Sequence, residues 1–295
     1  MDKNGYGLGG KTALITGASR GLGLEIAKEY SRNGADIFFC ARNPEGIDEA
    51  KKEIESCRSN MNQKVSGIAA DTGSEKDIDR LVETVIKEAG GFDILVNNAA
   101  IQGPIGKIEE NDWDKWKQAL TTDLLGPVYL MRKAIEHFKQ SGKRGKIVSI
   151  SGGGATGSRP NFSAYAAAKV AIVRLTELLA DETREYGIDI NAIAPGAMRS
   201  SMTDEIMNAG EKGAGEKEIR TAEKLIAEGD KCKEKAAALA LFLASDDSNG
   251  VTGRLISASW DKWDLLGRDR EELAKTDVYT LRRITARDRG FEWDV

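Results

Sequence analysis

The chain of 295 residues contains one histidine, His137, and three cysteines, Cys40, Cys57 and Cys232. A single imidazole excludes a metal site built from several histidines and nearly excludes a histidine-dependent catalytic triad. The cysteines are too few and too scattered along the sequence for a disulfide framework or a zinc site. We therefore predict that the protein has no metal centre.

The chain also lacks an excess of positive charge and any long apolar run. It carries 43 Lys and Arg against 47 Asp and Glu, and both signs are spread along the sequence. Nucleic-acid binding would need a basic face, and a membrane-spanning helix would need about 20 consecutive apolar residues. Residues 1–10 are polar and rich in Gly, without the apolar centre of a signal peptide. We therefore expect a cytoplasmic protein with neither nucleic-acid nor membrane partners.

Short apolar runs alternate with stretches of helical character through most of the chain. The runs at residues 13–15, 37–39 and 94–96 are continuously apolar, which is typical of strands covered on both faces. This alternation predicts a doubly wound parallel sheet of the Rossmann-like α/β class, with three layers. The predicted strands cover residues 12–16, 36–41, 65–70, 92–97, 146–151, 188–194 and 254–256, and the predicted helices cover residues 22–33, 45–59, 76–89, 112–140, 163–186 and 235–244.

We predict one domain over residues 1–257, followed by an extension over residues 258–295. Within the domain, residues 202–233 are charged and interrupted by Gly, and we interpret them as an inserted lid over the carboxyl edge of the sheet, or else as a surface loop without function. The extension has too many large aromatic side chains for a disordered tail, so we expect it to pack on the body or on a neighbouring subunit. These side chains are Trp260, Trp263, Tyr279, Phe291 and Trp293.

A glycine-rich turn lies between the first predicted strand and the first predicted helix. Residues 16–23 read Thr-Gly-Ala-Ser-Arg-Gly-Leu-Gly. Glycines allow the backbone to turn tightly and to approach a ligand, and the amides at the start of the following helix favour a pyrophosphate. The position of this turn in the strand-helix order predicts a dinucleotide-binding site.

Tyr165 and Lys169 lie four residues apart in a predicted helix, so their side chains share one face. A phenol in water has a pKa near 10, and a nearby ammonium favours its phenolate form. Tyr165 could then exchange a proton with a substrate hydroxyl or carbonyl oxygen. The same spacing also occurs on solvated helix faces, so this interpretation depends on the other motifs.

The motifs together resemble the short-chain dehydrogenase/reductase family over about residues 11–257. The resemblance implies a single NAD(P)-binding domain and hydride transfer between the nicotinamide and a small carbonyl or alcohol substrate. It also implies a homodimer or homotetramer formed through residues 112–140 and 163–186. The motifs occur in the family's order: Thr-Gly-x-x-x-Gly-x-Gly from Thr16, Asn97-Asn98-Ala99-Ala100, Tyr-x-x-x-Lys from Tyr165, and Pro195-Gly196.

Charge at the end of the second strand indicates the cofactor. An NAD-selective site places an acidic residue there, whereas this chain has Ala41 followed by Arg42, with Arg20 in the glycine turn. Two guanidinium groups suit a 2′-phosphate, so we predict NADP rather than NAD; the alternative is that Arg42 is an ordinary surface residue. The resemblance assigns cofactor binding to Gly17, Ser19, Arg20, Gly21, Leu22, Gly23, Arg42, Asp71 and Thr72 at the adenine, Asn98 and Ala99 at the ribose, Tyr165, Lys169, Pro195, Gly196, and Ser200 at the carboxamide.

Two of the four catalytic positions that the family resemblance implies are altered. Tyr165 matches the general acid/base, and Lys169 matches the residue that assists it and holds the nicotinamide ribose. The family's serine, thirteen positions before the tyrosine, is replaced by Gly152, and Ser151 comes one residue early. Losing such a donor removes about 3 to 4 kcal/mol of transition-state stabilisation.

Several groups could replace the missing donor: Ser151, Thr156, Ser158, Ser163 or a backbone amide of the glycine loop. The family's asparagine is replaced by Asp123, which can accept hydrogen bonds but cannot donate as an amide does. The negative charge of Asp123 would favour the ammonium form of Lys169 and would compete with Tyr165 for that ammonium. The predicted catalytic set is therefore Tyr165, Lys169, Ser151 and Asp123.

The leading hypothesis is an NADP-dependent oxidoreductase acting on a small carbonyl or secondary alcohol. One alternative is a related epimerase or dehydratase of a sugar-like substrate. Another is a nucleotide-binding protein with little turnover, acting as a sensor or an assembly partner. The sequence decides neither the substrate nor the direction of the reaction.

Overall fold

A parallel sheet forms the centre of the computed structural model, which describes residues 6–229 and 232–293. Within these residues the sheet has seven strands in the order β3-β2-β1-β4-β5-β6-β7, and each neighbouring pair is parallel. The predicted doubly wound fold is therefore confirmed. The strands are β1 Thr12–Thr16, β2 Asp36–Ala41, β3 Val65–Ala69, β4 Ile94–Asn97, β5 Lys146–Ile150, β6 Asp189–Ala194 and β7 Arg254–Ser257.

Helices cover both faces of the sheet, which explains the continuous apolar runs. The helices are α1 Gly21–Arg32, α2 Pro44–Ser56, α3 Glu75–Ala89, α4 Trp113–Leu120, α5 Gly126–Ser141, α6 Ser163–Thr183, α7 Ser201–Ala214, α8 Glu216–Glu228, α9 Cys232–Ala244 and α10 Arg270–Ala274. Successive side chains of a strand point to opposite faces, so Leu14 joins the buried cluster formed with α3, α5 and α6, while Ile15 joins the cluster formed with α1, α2 and α9.

The long helix predicted over residues 112–140 is interrupted in the structure. A π-helical turn, Thr121–Leu125, separates α4 from α5. A Cβ atom at Gly126 would lie 1.9 Å from the carbonyl oxygen of Thr72, so the backbone of α5 passes too close to the loop after β3 for any larger residue. Such π-helical turns are frequent at functional sites, and this one places Asp123 in the interior with no exposed surface.

Residues 201–228, expected to be irregular in part, form the helices α7 and α8. The backbone is non-helical at Gly210, where φ is 64° and ψ is −179°, so α7 consists of two helical segments that meet at a kink. Apolar residues of both helices pack around the fully buried Phe162, which precedes α6. This packing places α7 and α8 next to the start of the helix that carries Tyr165.

The extension after β7 contacts the body along the edge of the sheet. The guanidinium of Arg254 donates hydrogen bonds to the carbonyl oxygens of Leu273, Thr276 and Val278, and the backbone N–H of Leu255 donates to the carbonyl oxygen of Tyr279 at 2.8 Å. Of the five aromatic residues, Trp263 and Tyr279 pack against the core, whereas Trp260, Phe291 and Trp293 are exposed. Contact of the extension with a neighbouring subunit stays a prediction.

Candidate active site

The glycine-rich turn after β1 is joined to the loop after β4 by four hydrogen bonds. The hydroxyl of Thr16 accepts from the backbone N–H groups of Asn98 and Ala99, each at 3.0 Å. The side-chain amide of Asn98 donates to the carbonyl oxygens of Thr16 and Gly17, also at 3.0 Å. Because β1 pairs with β4 on one side and with β2 on the other, this loop pair lies where the strand order reverses. Ligands of doubly wound sheets bind at that point.

The close packing of these two loops requires glycine. Gly17 has φ 66°, and a Cβ atom there would lie 2.8 Å from the Cα of Ala99. A Cβ atom at Gly23 would lie 2.5 Å from the side-chain amide of Asn98 and 2.6 Å from the carbonyl oxygen of Gly17. The turn therefore brings its backbone, and the first turn of α1, to the carboxyl edge of the sheet.

The N-terminus of α1 suits a bound anion. Among the described residues, no side chain caps this helix, and its first turn contains no acidic residue. The amides of the first turn and the positive end of the helix dipole are thus available to a pyrophosphate. Of the predicted cofactor residues, Ser19, Arg20, Gly21 and Leu22 all lie in this turn or at the start of α1.

Arg20 and Arg42 are both exposed, and Ala41 ends β2 with its side chain buried. Arg42 makes no ion pair with any residue in the described parts of the chain, and the guanidinium of Arg20 lies 3.4 Å from the hydroxyl of Ser201 at the start of α7. The end of β2 therefore offers positive charge and no carboxylate of its own. Asp71 and Thr72 follow β3, and the Asp71 carboxylate accepts a hydrogen bond from the backbone N–H of Gly73.

Pro195 and Gly196 follow β6, and Gly196 adopts a positive φ of 87°. Ser200 comes directly before α7 and caps it reciprocally with Thr203: each side chain accepts from the other residue's backbone N–H. These positions lie at the carboxyl ends of their strands, like the glycine turn. The structure thus brings the predicted cofactor residues to one edge of the sheet.

Tyr165 and Lys169 lie in the first turns of α6, and both are buried, with 8% and 4% of their surfaces exposed. The ammonium of Lys169 donates a hydrogen bond to the carbonyl oxygen of Ile150 at 3.0 Å, and its nitrogen lies 5.3 Å from the centre of the Tyr165 ring. Since Ile150 is the last residue of β5, this bond fixes the pair at the same edge of the sheet as the glycine turn.

Gly152 lies against the hydroxyl of Tyr165, because a Cβ atom at position 152 would be 2.3 Å from the Tyr165 oxygen. The position given to the family's serine is therefore next to the tyrosine, but it carries no side chain. Among the groups considered as replacements, the Ser151 hydroxyl is buried and has no hydrogen-bond partner among the described residues. Thr156 and Ser158 are exposed, and the Ser163 hydroxyl accepts from the indole N–H of Trp116 at 3.0 Å.

Asp123 is buried and close enough to Lys169 for their charges to interact. One carboxylate oxygen accepts from the backbone N–H of Ile101 at 2.9 Å, and the other has no partner among the residues that the structure describes. Burial raises the pKa of Asp123 to about 6, while the charge of Lys169 and the bond from Ile101 act to lower it. The carboxyl group can therefore change its protonation state close to neutral pH.

Arg159 is a site residue that the sequence analysis did not find. Its guanidinium lies 3.9 Å from the centre of the Phe162 ring and 5.6 Å from that of the Tyr165 ring, and it forms an ion pair with Glu218 of α8. An arginine in a loop before a helix has no distinctive pattern, so only the folded chain shows that it lies at this site.

Comparison with known proteins agrees with this geometry. Residues 11–211 match the family model described as short chain dehydrogenase. The protein belongs to the short-chain dehydrogenase/reductase family. It is 34% identical to 3beta-hydroxysteroid dehydrogenase 1 of Eggerthella lenta over 248 residues, which cover 83% of this chain and 91% of that protein. It is 29% identical to Dehydrogenase/reductase SDR family member 4 of Homo sapiens over 249 residues, which cover 84% and 86% of the two chains.

The fold also matches solved structures of the short-chain dehydrogenase/reductase family. The crystal structure of levodione reductase superposes with a TM-score of 0.75 at 27% identity, covering 84% of this chain and 95% of that one. The family resemblance seen in the sequence is thus confirmed, and membership makes the protein an oxidoreductase of alcohol or carbonyl groups that binds a nicotinamide dinucleotide.

The parts of the chain covered by the structure contain no cluster of three or more acidic, histidine or cysteine side chains able to hold a metal ion. In the same parts, no helix has the length and apolar character needed to cross a bilayer.

Proposed function

We propose that this short-chain dehydrogenase/reductase transfers a hydride between NADP(H) and a small carbonyl or secondary alcohol substrate, with Tyr165 as the general acid/base. The observation that carries the proposal is the buried Tyr165–Lys169 pair at the carboxyl end of β5. It lies at the same edge of the sheet as the glycine turn and the uncapped start of α1.

The residues at this edge suit a dinucleotide. The pyrophosphate would be held by the backbone of the glycine turn and by the first amides of α1. The absence of a carboxylate at Ala41, together with the exposed guanidinium groups of Arg20 and Arg42, supports NADP over NAD. When bound, the nicotinamide supplies or accepts the hydride.

In the reducing direction, Tyr165 would donate its hydroxyl proton to the carbonyl oxygen as the hydride reaches the carbonyl carbon. In the oxidising direction the same oxygen would take the proton of the alcohol. Lys169 supports both steps, because its positive charge stabilises negative charge on the Tyr165 oxygen while the proton is transferred. Its bond to Ile150 keeps that charge 5.3 Å from the ring.

A hydrogen-bond donor to the substrate oxygen is still required, since position 152 has no side chain. We assign this role to Ser151, whose buried hydroxyl has no partner among the described residues. Asp123 is proposed to take the place of the family's asparagine in proton exchange at Lys169. Its partly titrated carboxyl could both accept and donate, which a permanently charged carboxylate could not.

We further propose that residues 202–233 act as a lid, because α7 and α8 pack against Phe162 and reach Arg20 and Arg159.

A homodimer or homotetramer would use α4, α5 and α6. In support of this, four large apolar side chains on these helices and on the π-helical turn are exposed: Trp113, Leu125, Val170 and Leu178. Light scattering of the purified protein tests the oligomeric state directly.

The central experiment measures NADPH oxidation with a panel of ketones, aldehydes and keto-sugars for the wild type and Tyr165→Phe. We expect turnover in the wild type and a loss of at least about a hundredfold in the variant, with NADPH affinity little changed. Tyr129→Phe is the control, since the hydroxyl of Tyr129 donates to the half-buried carboxylate of Asp79 on α3. NADPH binding without turnover of any substrate would instead support the nucleotide-binding sensor.

A further inference from the structure

Arg159 folds back over the glycine loop that follows β5. A Cβ atom at Gly153 would lie 3.3 Å from its Cδ, and one at Gly154 would lie 3.5 Å from its Cβ. Its guanidinium reaches the faces of Phe162 and Tyr165, at 3.9 and 5.6 Å from the ring centres. The side chain is 15% exposed, so a cation is held mostly out of water beside the proposed proton donor.

Glu218 uses only one edge of this guanidinium. Nε and Nη2 of Arg159 donate to the two carboxylate oxygens at 3.2 and 2.8 Å. A guanidinium has five N–H donors, and a bidentate carboxylate takes two of them. Nη1 donates to no residue in the described parts of the chain, so the second edge, formed by Nη1 and Nη2, can receive another partner.

The guanidinium of Arg159 borders an apolar cluster, because it lies on the ring of Phe162. Phe162, Ile206 and Ile219 form a buried cluster between the loop and the helices α7 and α8. An N–H donor that loses water in such surroundings without gaining an acceptor weakens binding. A ligand that fills the space and presents an oxygen to that edge avoids this penalty, whereas an otherwise identical ligand without the oxygen does not.

We propose that Arg159 is a specificity-determining residue that binds a second oxygen function of the substrate, close to the carbonyl or alcohol group that reacts at Tyr165. This inference rests on the proposed function and names its substrate class: carbonyl compounds or alcohols that carry another carboxylate, carbonyl or hydroxyl oxygen. Glu218 is a positioning residue, because its carboxylate fixes the plane of the guanidinium and connects it to α8.

The test compares ketones that differ only in the second oxygen. One series is acetoacetate, its methyl ester and butanone, and the other is levulinate, its methyl ester and methyl propyl ketone. The acid and the ester distinguish a charged from a neutral oxygen. The variants are Arg159→Gln, Arg159→Lys and Glu218→Gln, and Arg220→Gln is the matched control, because Arg220 forms an exposed ion pair with Glu216 on the same helix.

We expect the wild type to prefer a substrate with a second oxygen by at least about tenfold in kcat/KM. Arg159→Gln should abolish this preference, because kcat/KM for the oxygenated ketones should fall at least about tenfold more than kcat/KM for the plain ketones. Arg159→Lys should fall in between, because lysine lacks the planar fork. Glu218→Gln should raise KM for the oxygenated substrates with little change in kcat, and Arg220→Gln should match the wild type.

Two results would overturn the proposal. One is a wild type that shows no preference for ketones with a second oxygen. The other is an equal loss of kcat/KM for both substrate classes in Arg159→Gln, which would mean that Arg159 only connects the loop to α8. Failure of the proposed function is distinguishable, because no ketone would then be reduced by any variant. In that case, calorimetric binding of levulinate to the NADP-saturated protein still decides the question, since equal affinity in the wild type and Arg159→Gln contradicts the proposal.

Discussion

Gly152 and the hydroxyl of Tyr165 are in direct contact, so that a Cβ atom at position 152 would lie 2.3 Å from the phenol oxygen. The replacement of the family's serine is therefore not a simple deletion of a hydroxyl. In this chain the tyrosine occupies space that a side chain at position 152 would need, and the donor to the substrate must come from elsewhere.

Restoring the serine should therefore fail to restore activity. We expect Gly152→Ser and Gly152→Ala each to displace the buried Tyr165 ring, lowering the free energy of unfolding by roughly 1 to 3 kcal/mol and kcat by at least about tenfold. Urea denaturation and NADPH oxidation measure the two effects. Gly157→Ala is the control, because no atom lies within 4 Å of a Cβ at this glycine of the same loop. A higher kcat in Gly152→Ser would show that the tyrosine can move aside.

Asp123→Asn should stabilise the protein at alkaline pH. The folded-state pKa of about 6 lies above the value near 3.9 of an unfolded aspartate, so ionisation of the buried carboxyl destabilises the fold. This penalty is absent below about pH 4 and complete above about pH 6, where it reaches on the order of 2 to 3 kcal/mol. Denaturant titrations of both proteins at several pH values measure the difference. A constant difference across this range would contradict the assignment of the titration to Asp123.

Arg42→Ala should reduce the preference for NADPH. We expect the Kd for NADPH to rise by about tenfold or more, as for the loss of a charge-assisted hydrogen bond, while the Kd for NADH changes by less than about twofold. Fluorescence titration of each cofactor gives both constants. Arg283→Ala removes the same charge from an exposed position in the extension and serves as the control. An unchanged ratio of the two constants would remove Arg42 from the cofactor argument.

His137 should titrate below the usual range of a histidine. Its ring stacks on Phe92 at 4.9 Å, and its Nε2 accepts the backbone N–H of Phe92 at 3.2 Å; burial lowers the pKa of His137. Because the unfolded chain binds the proton more readily, the stability from this group is complete above about pH 6.5 and is lost as the pH falls through the folded-state pKa. The chain has one histidine, so its imidazole resonances need no assignment. A pKa at or above 6.5 by NMR would contradict the contact.

Much of the site could be located from the sequence because its parts are local. The glycine turn can be recognised from the sequence of residues 16–23 alone. The four-residue spacing of Tyr165 and Lys169 on one helix places both side chains on the same face. The strands β1 and β2 were predicted to the residue, since covered strands read as continuous apolar runs. β4 begins at Ile94 rather than Phe92, because an apolar run does not show where the pairing of a strand starts.

The interruption of the helix predicted over residues 112–140 could not be predicted in the same way. Its apolar spacing continues through the π-helical turn Thr121–Leu125, and the contact of Gly126 with Thr72 at the end of this turn involves a segment far away in the sequence. The helix-forming character of α7 was likewise hidden by its glycines. Ile206 and Ala214, on either side of the kink at Gly210, pack in the cluster around Phe162 and stabilise the two helical segments of α7.

The sequence by itself determined the α/β fold, the family and the edge of the sheet that carries the site, because each follows from patterns over a few neighbouring residues. Only the tertiary structure decided that Gly152 touches Tyr165 and that Asp123 is buried without a partner for its second oxygen among the described residues. It alone decided that Arg159 lies beside Tyr165 and is held there by its ion pair with Glu218. Such contacts join segments far apart in the chain, and their distances depend on how whole elements pack.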